Sequence, residues 1–237
     1  MSLQPAARAQ LYCAIDRAEI DKALALAQTV AQDVDGLKLG LEFFLAQGRA
    51  GVERLASLGL PLFLDLKLHD IPNTVGSAVA SLRGLDLAYV TVHASGGSAM
   101  IEAAVSAAKS LPQAPIILAV TVLTSLGRDD LAYIGVTDAP ERQVDRLAGL
   151  AMSAGAGGLV CSPLEVARLR RLAGPDVRLV VPGIRPAGAS AGDQKRIMSP
   201  SDAQAAGADI LVVGRPISAE ADPGRAAASL RRQLEAA

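Results

Sequence analysis

Tryptophan is absent from this chain, and only three tyrosines and three phenylalanines are present. Aromatic rings therefore cannot build the core. With 51% hydrophobic residues and a mean hydropathy of +0.32, that work falls to Val, Ile, Leu and Ala. Neither sign of charge dominates: 23 Lys and Arg stand against 24 Asp and Glu, a net charge of −1. That balance gives no electrostatic case for nucleic acid or for an acidic membrane as partner. Cysteine is scarce too. Cys13 and Cys161 each sit in an apolar, strand-like run, and read as buried free thiols in a reducing compartment. The only histidines, His69 and His93, have no partner at metal-ligand spacing, so no metal is expected. No Gly-x-Gly-x-x-Gly follows a strand, and a dinucleotide cofactor has no support. No run approaches the ~18 apolar residues of a membrane helix. Residues 1–10 form an N-terminal extension without the apolar segment of a secretory signal. The expectation is a soluble, cytoplasmic protein.

What is present is an alternation of short apolar runs with longer amphipathic ones. Runs at 11–16, 36–40, 61–68, 87–94, 115–123, 158–162, 178–183 and 208–214 read as eight strands. Their near-continuous apolar character suits a parallel sheet buried on both faces. Helical spacing fills the gaps: 19–30, 41–58, 74–83, 99–110, a short piece at 129–134, then 141–154, 163–172 and 218–234. Gly59 stops the second helix and Pro163 opens another. Eight strands in strict alternation with helices fit a (β/α)8 TIM barrel, with a doubly wound open sheet as the alternative. No composition shift or low-complexity linker divides the chain, so residues 1–237 are read as a single domain.

The third run carries the strongest signal, Asp65-Leu66-Lys67-Leu68-His69-Asp70-Ile71-Pro72-Asn73-Thr74-Val75. It follows Pro61-Leu62-Phe63-Leu64, and the charges arrive where the strand ends. Residues two apart on a strand share a face, which sets Asp65 with Lys67 and puts Leu64, Leu66 and Leu68 opposite. Such charges are costly to bury without a task. In a barrel of this kind the active site lies at the carboxyl ends of the strands. Asp16 and Lys38 fall at the ends of the two preceding strands, so four charges converge on one rim. Taken singly, Asp16 could cap a helix, Lys38 could reach for solvent, and Asp65 with Lys67 could be a structural ion pair. Together they fit a functional cluster. A lysine between carboxylates is held as an ammonium ion, a proton donor to a developing carbanion. A fixed carboxylate beside it would repel an anionic substrate group until that group left as neutral CO2. The array suits decarboxylation, with preorganised electrostatics as the source of rate.

The seventh and eighth strand exits look like a phosphate site. Pro182-Gly183-Ile184-Arg185-Pro186 opens a Gly- and Ala-rich loop through Gln194, Lys195 and Arg196, and residues 184–197 are expected to act as a mobile phosphate-gripping lid. Gly214-Arg215-Pro216 follows the eighth strand. Glycine lets backbone N–H groups approach a phosphate, and arginine forks onto its oxygens. Barrel enzymes often hold phosphate at these two exits. The loop Ser95-Gly96-Gly97-Ser98 could cradle an anion or simply enter a helix. His69 and His93 are assigned supporting rather than catalytic roles.

The stretch Asp65–Thr74 resembles the signature of the orotidine 5′-phosphate decarboxylase family. The resemblance extends through Ala14-Ile15-Asp16, Leu37-Lys38-Leu39-Gly40, Val92-His93-Ala94, Val122-Leu123-Thr124-Ser125, Pro182-Gly183-Ile184-Arg185, Asp193-Gln194-Lys195-Arg196 and Val213-Gly214-Arg215-Pro216. The Asp-x-Lys-x-x-Asp core is shared with sugar-phosphate relatives of that superfamily; Ile71-Pro72-Asn73-Thr74 and the Gln194 loop point to the orotidine branch. Val181 stands where many relatives carry threonine. The resemblance implies conversion of orotidine 5′-monophosphate to UMP and CO2 with no metal or organic cofactor. It implies a catalytic set of Lys67, Asp65, Asp70 and Lys38, with Lys67 protonating C6 and Asp65 against the substrate carboxylate. Asp16 and Lys38 would hold the ribose, Thr124 and Pro182 the pyrimidine, and Arg185, Gln194, Gly214 and Arg215 the phosphate. It also implies a homodimer in which Asp70 and Thr74 are lent across the interface. A sugar-phosphate lyase and a non-catalytic phosphate-binding barrel are the competing readings.

Overall fold

The computed structural model of the protein describes residues 8–185 and 198–236. Eight parallel strands close into a barrel in sequence order: β1 Gln10–Ala14, β2 Gly36–Leu39, β3 Leu62–Leu68, β4 Tyr89–His93, β5 Ile116–Val120, β6 Gly158–Val160, β7 Arg178–Val181 and β8 Ile210–Val213. The pairing of β1 with β8, Tyr12 opposite Val212 and Cys13 opposite Val213, closes the ring and excludes the open sheet. The helices are α1 Ile20–Val30, α2 Leu41–Ala56, α3 Pro72–Ala80, α4 Ser98–Lys109, α5 Arg128–Tyr133, α6 Pro140–Ser153, α7 Val166–Ala173, α8 Pro200–Ala205, α9 Arg215–Ser218 and α10 Pro223–Glu235. No helix among the described residues is long and apolar enough to cross a membrane.

Three local differences from the sequence reading have simple causes. The run at 41–58 is kinked at Gly48, whose φ of +56° only glycine adopts readily. The last expected run, 218–234, starts late: its helix α10 begins only at Pro223, where Asp222 caps it by accepting the Arg225 N–H, and the short α9 that precedes it was not expected. Helix α8 was not expected: six residues are too few to show a period. Its start was nevertheless written locally, since Ser199 Oγ accepts the Asp202 N–H just before Pro200.

Alternation within each strand sorts the apolar residues into two clusters. The larger lies between barrel and helices and takes Leu11, Cys13, Leu37, Leu39, Leu62, Leu64, Val90 and Val92 from β1 to β4. The smaller fills the barrel: Tyr12, Ala14, Phe63, Tyr89, Leu118, Val180, Ile210 and Val212. Three of the chain's six aromatic residues, Tyr12, Phe63 and Tyr89, meet there edge to face, with ring centroids 5.9–6.4 Å apart. Such contacts add to burial, and they plug the interior below the strands' carboxyl ends. The scarce aromatic residues thus form a floor. Cys13 and Cys161 are buried and free, and burial pushes the Cys13 thiol up to about 12, out of the range of a reactive thiolate.

Candidate active site

Above the aromatic floor the barrel opens into a pocket of about 180 Å³. Lys38, Asp65 and Lys67 line one side. Val120, Val122, Val160, Val180 and Val212 form much of the rest, and Thr124 and Pro182 stand at its edge. An apolar wall facing a few convergent charges is the usual make-up of a small-molecule site.

The charges form an alternating chain. Lys38 Nζ lies 3.1 Å from Asp16 Oδ1 and 3.6 Å from Asp65 Oδ2; Lys67 Nζ lies 2.8 Å from Asp65 Oδ1. Each strand supplies its member where it leaves the barrel: Lys38 from β2, Asp65 and Lys67 from β3, and Asp16 two residues past β1. Lys38 and Asp65 side chains are only 11% and 13% exposed, whereas Lys67 is 30% and Asp16 47% exposed. Burial by itself would raise the Asp65 carboxyl. The charges of Lys38 and Lys67, with hydrogen bonds from Lys67 and Thr91, outweigh it and hold the group below the usual carboxylate range. A buried, fixed negative charge therefore sits between two ammonium groups.

Gly40 makes this packing possible. An alanine Cβ there would lie 2.8 Å from Lys38 Nζ and 2.9 Å from Asp16 Oδ1.

Strand β3 departs from regularity where the chemistry is. Leu64 pairs with Val90 but Leu68 with Val92, so three residues of β3 face the single Thr91 of β4. Within this bulge Lys67 takes a φ of +51°, the one non-glycine residue at positive φ among those described. That conformation costs on the order of 1–2 kcal/mol for a residue with a Cβ. Asp65 and Lys67 do share a face, as alternation predicts, with Leu64, Leu66 and Leu68 packed outward. The expected straight strand is replaced by a strained one. Strain of this kind gathers at functional sites.

The candidate phosphate groups lie where expected in the chain. Arg185 follows β7 and is buried, with Nη1 donating to the Ile184 carbonyl at 2.9 Å. Burial, and then the like charge of Arg215, pushes its guanidinium below the ordinary value. Two arginines that feel each other's charge, one of them buried, make a place suited to an anion. Gly183 holds a φ of +79° at the turn out of β7, and Gly214 caps α9 just before Arg215. Ile184 bridges to Met198, and the Arg185 N–H donates to the Met198 carbonyl at 3.0 Å, so the ends of this segment are tied together. Gln194, and most of the expected 184–197 lid, lie outside the described residues.

Asp70 and Thr74 do not join the pocket. Both are exposed; Asp70 Oδ1 accepts the Ile71 N–H at 2.7 Å, and among the described residues the carboxylate has no ion-pair partner. Ile71, next to Asp70 in the chain, is 67% exposed, and on α2 Leu45 is 80% exposed. His69 and His93 meet with centroids 5.4 Å apart and rings tilted by 43°. Burial first, and then the charges of His69 and Lys67, hold His93 below its ordinary value.

Sequence reasoning missed Thr91, which contacts both Asp65 and Lys67. Its only sequence signal is a single aliphatic hydroxyl in the largely apolar run Tyr89-Val90-Thr91-Val92.

A closed (β/α)8 barrel with lysines and carboxylates converging at its carboxyl mouth, and a pair of arginines following β7 and β8, defines an enzyme class that works on small anionic substrates. The family model "Orotidine 5'-phosphate decarboxylase / HUMPS family" matches residues 9–230. The orotidine 5′-phosphate decarboxylase of Paramagnetospirillum magneticum is 52% identical over 229 residues, covering 94% of this chain and 97% of that protein. That of Gluconobacter oxydans is 51% identical, covering 97% and 99%. The crystal structure of the Lactobacillus acidophilus decarboxylase superposes with a TM-score of 0.84 at 35% identity, over 96% of this chain and 99% of that one. The chain belongs to the orotidine 5′-phosphate decarboxylase / HUMPS family.

Proposed function

We propose that this protein decarboxylates orotidine 5′-monophosphate to UMP and CO2, the closing step of de novo pyrimidine synthesis, without a metal or organic cofactor. The observation that carries the reading is the alternating chain Asp16, Lys38, Asp65, Lys67 at the mouth of a barrel of this family. The substrate carboxylate lies against Asp65. As the C6–carboxyl bond breaks, its electron pair stays on C6 and the carboxyl group departs as neutral CO2. Lys67, the ammonium nearest Asp65, gives its proton to C6 and recovers one from water. Lys38 and Asp16 hold the ribose hydroxyls and keep the network rigid. Because the charges are placed before substrate arrives, little reorganisation is required at the moment of reaction.

Thr124 and Pro182 hold the pyrimidine. Arg185, Gly214 and Arg215, with Gln194, take the phosphate, and binding energy gained there holds the reacting carbon against Asp65. Residues 1–237 act as one barrel domain with 184–197 as the loop over the phosphate. The working form is a homodimer in which Asp70 and Thr74 reach the neighbouring pocket; their exposure, together with that of the adjacent apolar Ile71, supports this. Two buried free thiols agree with a cytoplasmic setting.

The test is the loss of ultraviolet absorbance as purified protein consumes orotidine 5′-monophosphate. Turnover should survive a chelator and vanish in Lys67→Ala. A requirement for Mg2+ with a sugar phosphate as substrate would point instead to the sugar-phosphate branch, and full activity in Lys67→Ala would end the proton-donor assignment.

A further inference from the structure

Thr91 has the most unusual place of any polar residue near the site. It is completely buried, in the middle of β4, where a β-branched residue would ordinarily serve only as packing. Opposite it β3 bulges, so three residues face it, and a bulge breaks the regular ladder at those positions. The Thr91 hydroxyl fills that gap. Its oxygen accepts the Lys67 N–H at 2.9 Å. Its proton goes to Asp65 Oδ1 at 3.0 Å. This polarity is forced: a backbone N–H can only donate, and an ionised carboxylate can only accept. Lys67 Nζ donates to that same Asp65 oxygen at 2.8 Å. A ring of contacts results, in which one hydroxyl fixes the backbone of the lysine and the carboxylate that its ammonium touches.

We infer that Thr91 is a positioning residue for the reaction, its hydroxyl setting the left-handed turn at Lys67 and the orientation of the Asp65 carboxylate so that the two charges meet the reacting carbon in register. It touches neither substrate nor product and acts through its two neighbours. The inference rests on the decarboxylase reading. No other residue of β4 is placed to substitute: Val90 and Val92 point outward, Tyr89 belongs to the floor, and His93 lies against His69.

The experiment compares Thr91→Val, which keeps the shape and removes the hydroxyl, with Thr91→Ser, which keeps the hydroxyl and removes a methyl. Wild-type turnover is measured first, and its absence would remove the decarboxylase reading and this inference with it. With wild-type turnover in hand, Thr91→Val should lose on the order of 100-fold in kcat, the usual effect of misplacing reacting groups by about an ångström, while KM changes by less than about threefold. Affinity for UMP, which lacks the reacting carboxylate, should match wild type and show that the pocket is intact. Thr91→Ser should recover kcat to within about fivefold of wild type. A kcat for Thr91→Val equal to wild type would overturn the inference, as would parallel losses in Val and Ser. Should Thr91→Val fail to fold, Thr91→Ser against Thr91→Ala decides: the inference requires serine to exceed alanine by at least about tenfold in kcat.

Discussion

Replacing Gly40 with alanine separates the chemistry of the site from the stability of the barrel. The new Cβ would stand 2.8 Å from Lys38 Nζ and 2.9 Å from Asp16 Oδ1. Ordinary carbon contacts begin near 3.5 Å, so each group must retreat by roughly 0.6 Å. Both are the far ends of side chains, and Gly40 has a φ of −90° and ψ of −174° that alanine adopts without strain. The fold therefore yields easily. Losing the flexibility of glycine in the unfolded chain and weakening the start of α2 are opposing effects of similar size, each a few tenths to about 1 kcal/mol. The network yields less easily. At an effective dielectric of about 20, moving the buried Lys38–Asp65 contact from 3.6 Å to about 4.2 Å forfeits ~0.7 kcal/mol of attraction. The Lys38–Asp16 contact, at 3.1 Å with Asp16 47% exposed, adds a smaller, solvent-screened loss. The sum is about 1 kcal/mol, or roughly a fivefold fall in kcat/KM. The assay is the orotidine 5′-monophosphate absorbance change, with thermal unfolding measured on the same preparation. A variant with unchanged unfolding and unchanged kcat/KM would show that the Lys38 geometry does not govern turnover.

Lys67→Gly and Lys67→Ala both remove the ammonium and should both be inactive, but glycine accepts the φ of +51° that alanine does not, so the glycine variant should be the more stable by about 1 kcal/mol in urea unfolding. Because His93 is held below its ordinary 6.5, the unfolded chain takes up the proton first. Its contribution to stability is thus complete above about pH 6.5 and falls as pH drops towards the folded value; a thermal-unfolding series should show this slope, and His93→Phe should flatten it. Asp65 works in the same direction at lower pH: its depressed carboxyl stabilises the fold above about pH 3.9 and ceases to do so as pH falls through the folded value, so Asp65→Asn should be the less acid-sensitive protein. Ile71→Arg, placed on a side chain 67% exposed beside Asp70, should weaken self-association in sedimentation and make specific activity fall on dilution.

The barrel could be read from the chain because every strand is a short apolar run closed by a turn signal, and because β/α alternation leaves few topologies. The four charges could be read for a related reason: an ionised residue at the end of an apolar run is costly to place there without a task, and Asp16, Lys38, Asp65 and Lys67 indeed meet. What could not be read depends on register. The bulge that sets three residues of β3 against Thr91 is a property of two strands together, and nothing in Leu64-Asp65-Leu66-Lys67-Leu68 marks it. Lys67 at positive φ is invisible for the same reason, since lysine has no preference for that conformation. Helix α8 was missed because six residues carry less than two turns of pattern. Asp70, whose role came from the family resemblance as a residue lent to a partner, leaves the strand at its end and faces solvent.

The aromatic floor has a bearing on traffic. Tyr12, Phe63 and Tyr89 close the barrel from below, so the pocket is a well with one opening. For the proposed reaction two products of very different size, a nucleotide and a gas, share a single doorway. The order in which they leave is then decided at the rim, where Arg185 and Arg215 stand, and not by a back exit. A widened floor, for instance Phe63→Ala, would give the smaller product a second route and uncouple its departure from that of the nucleotide.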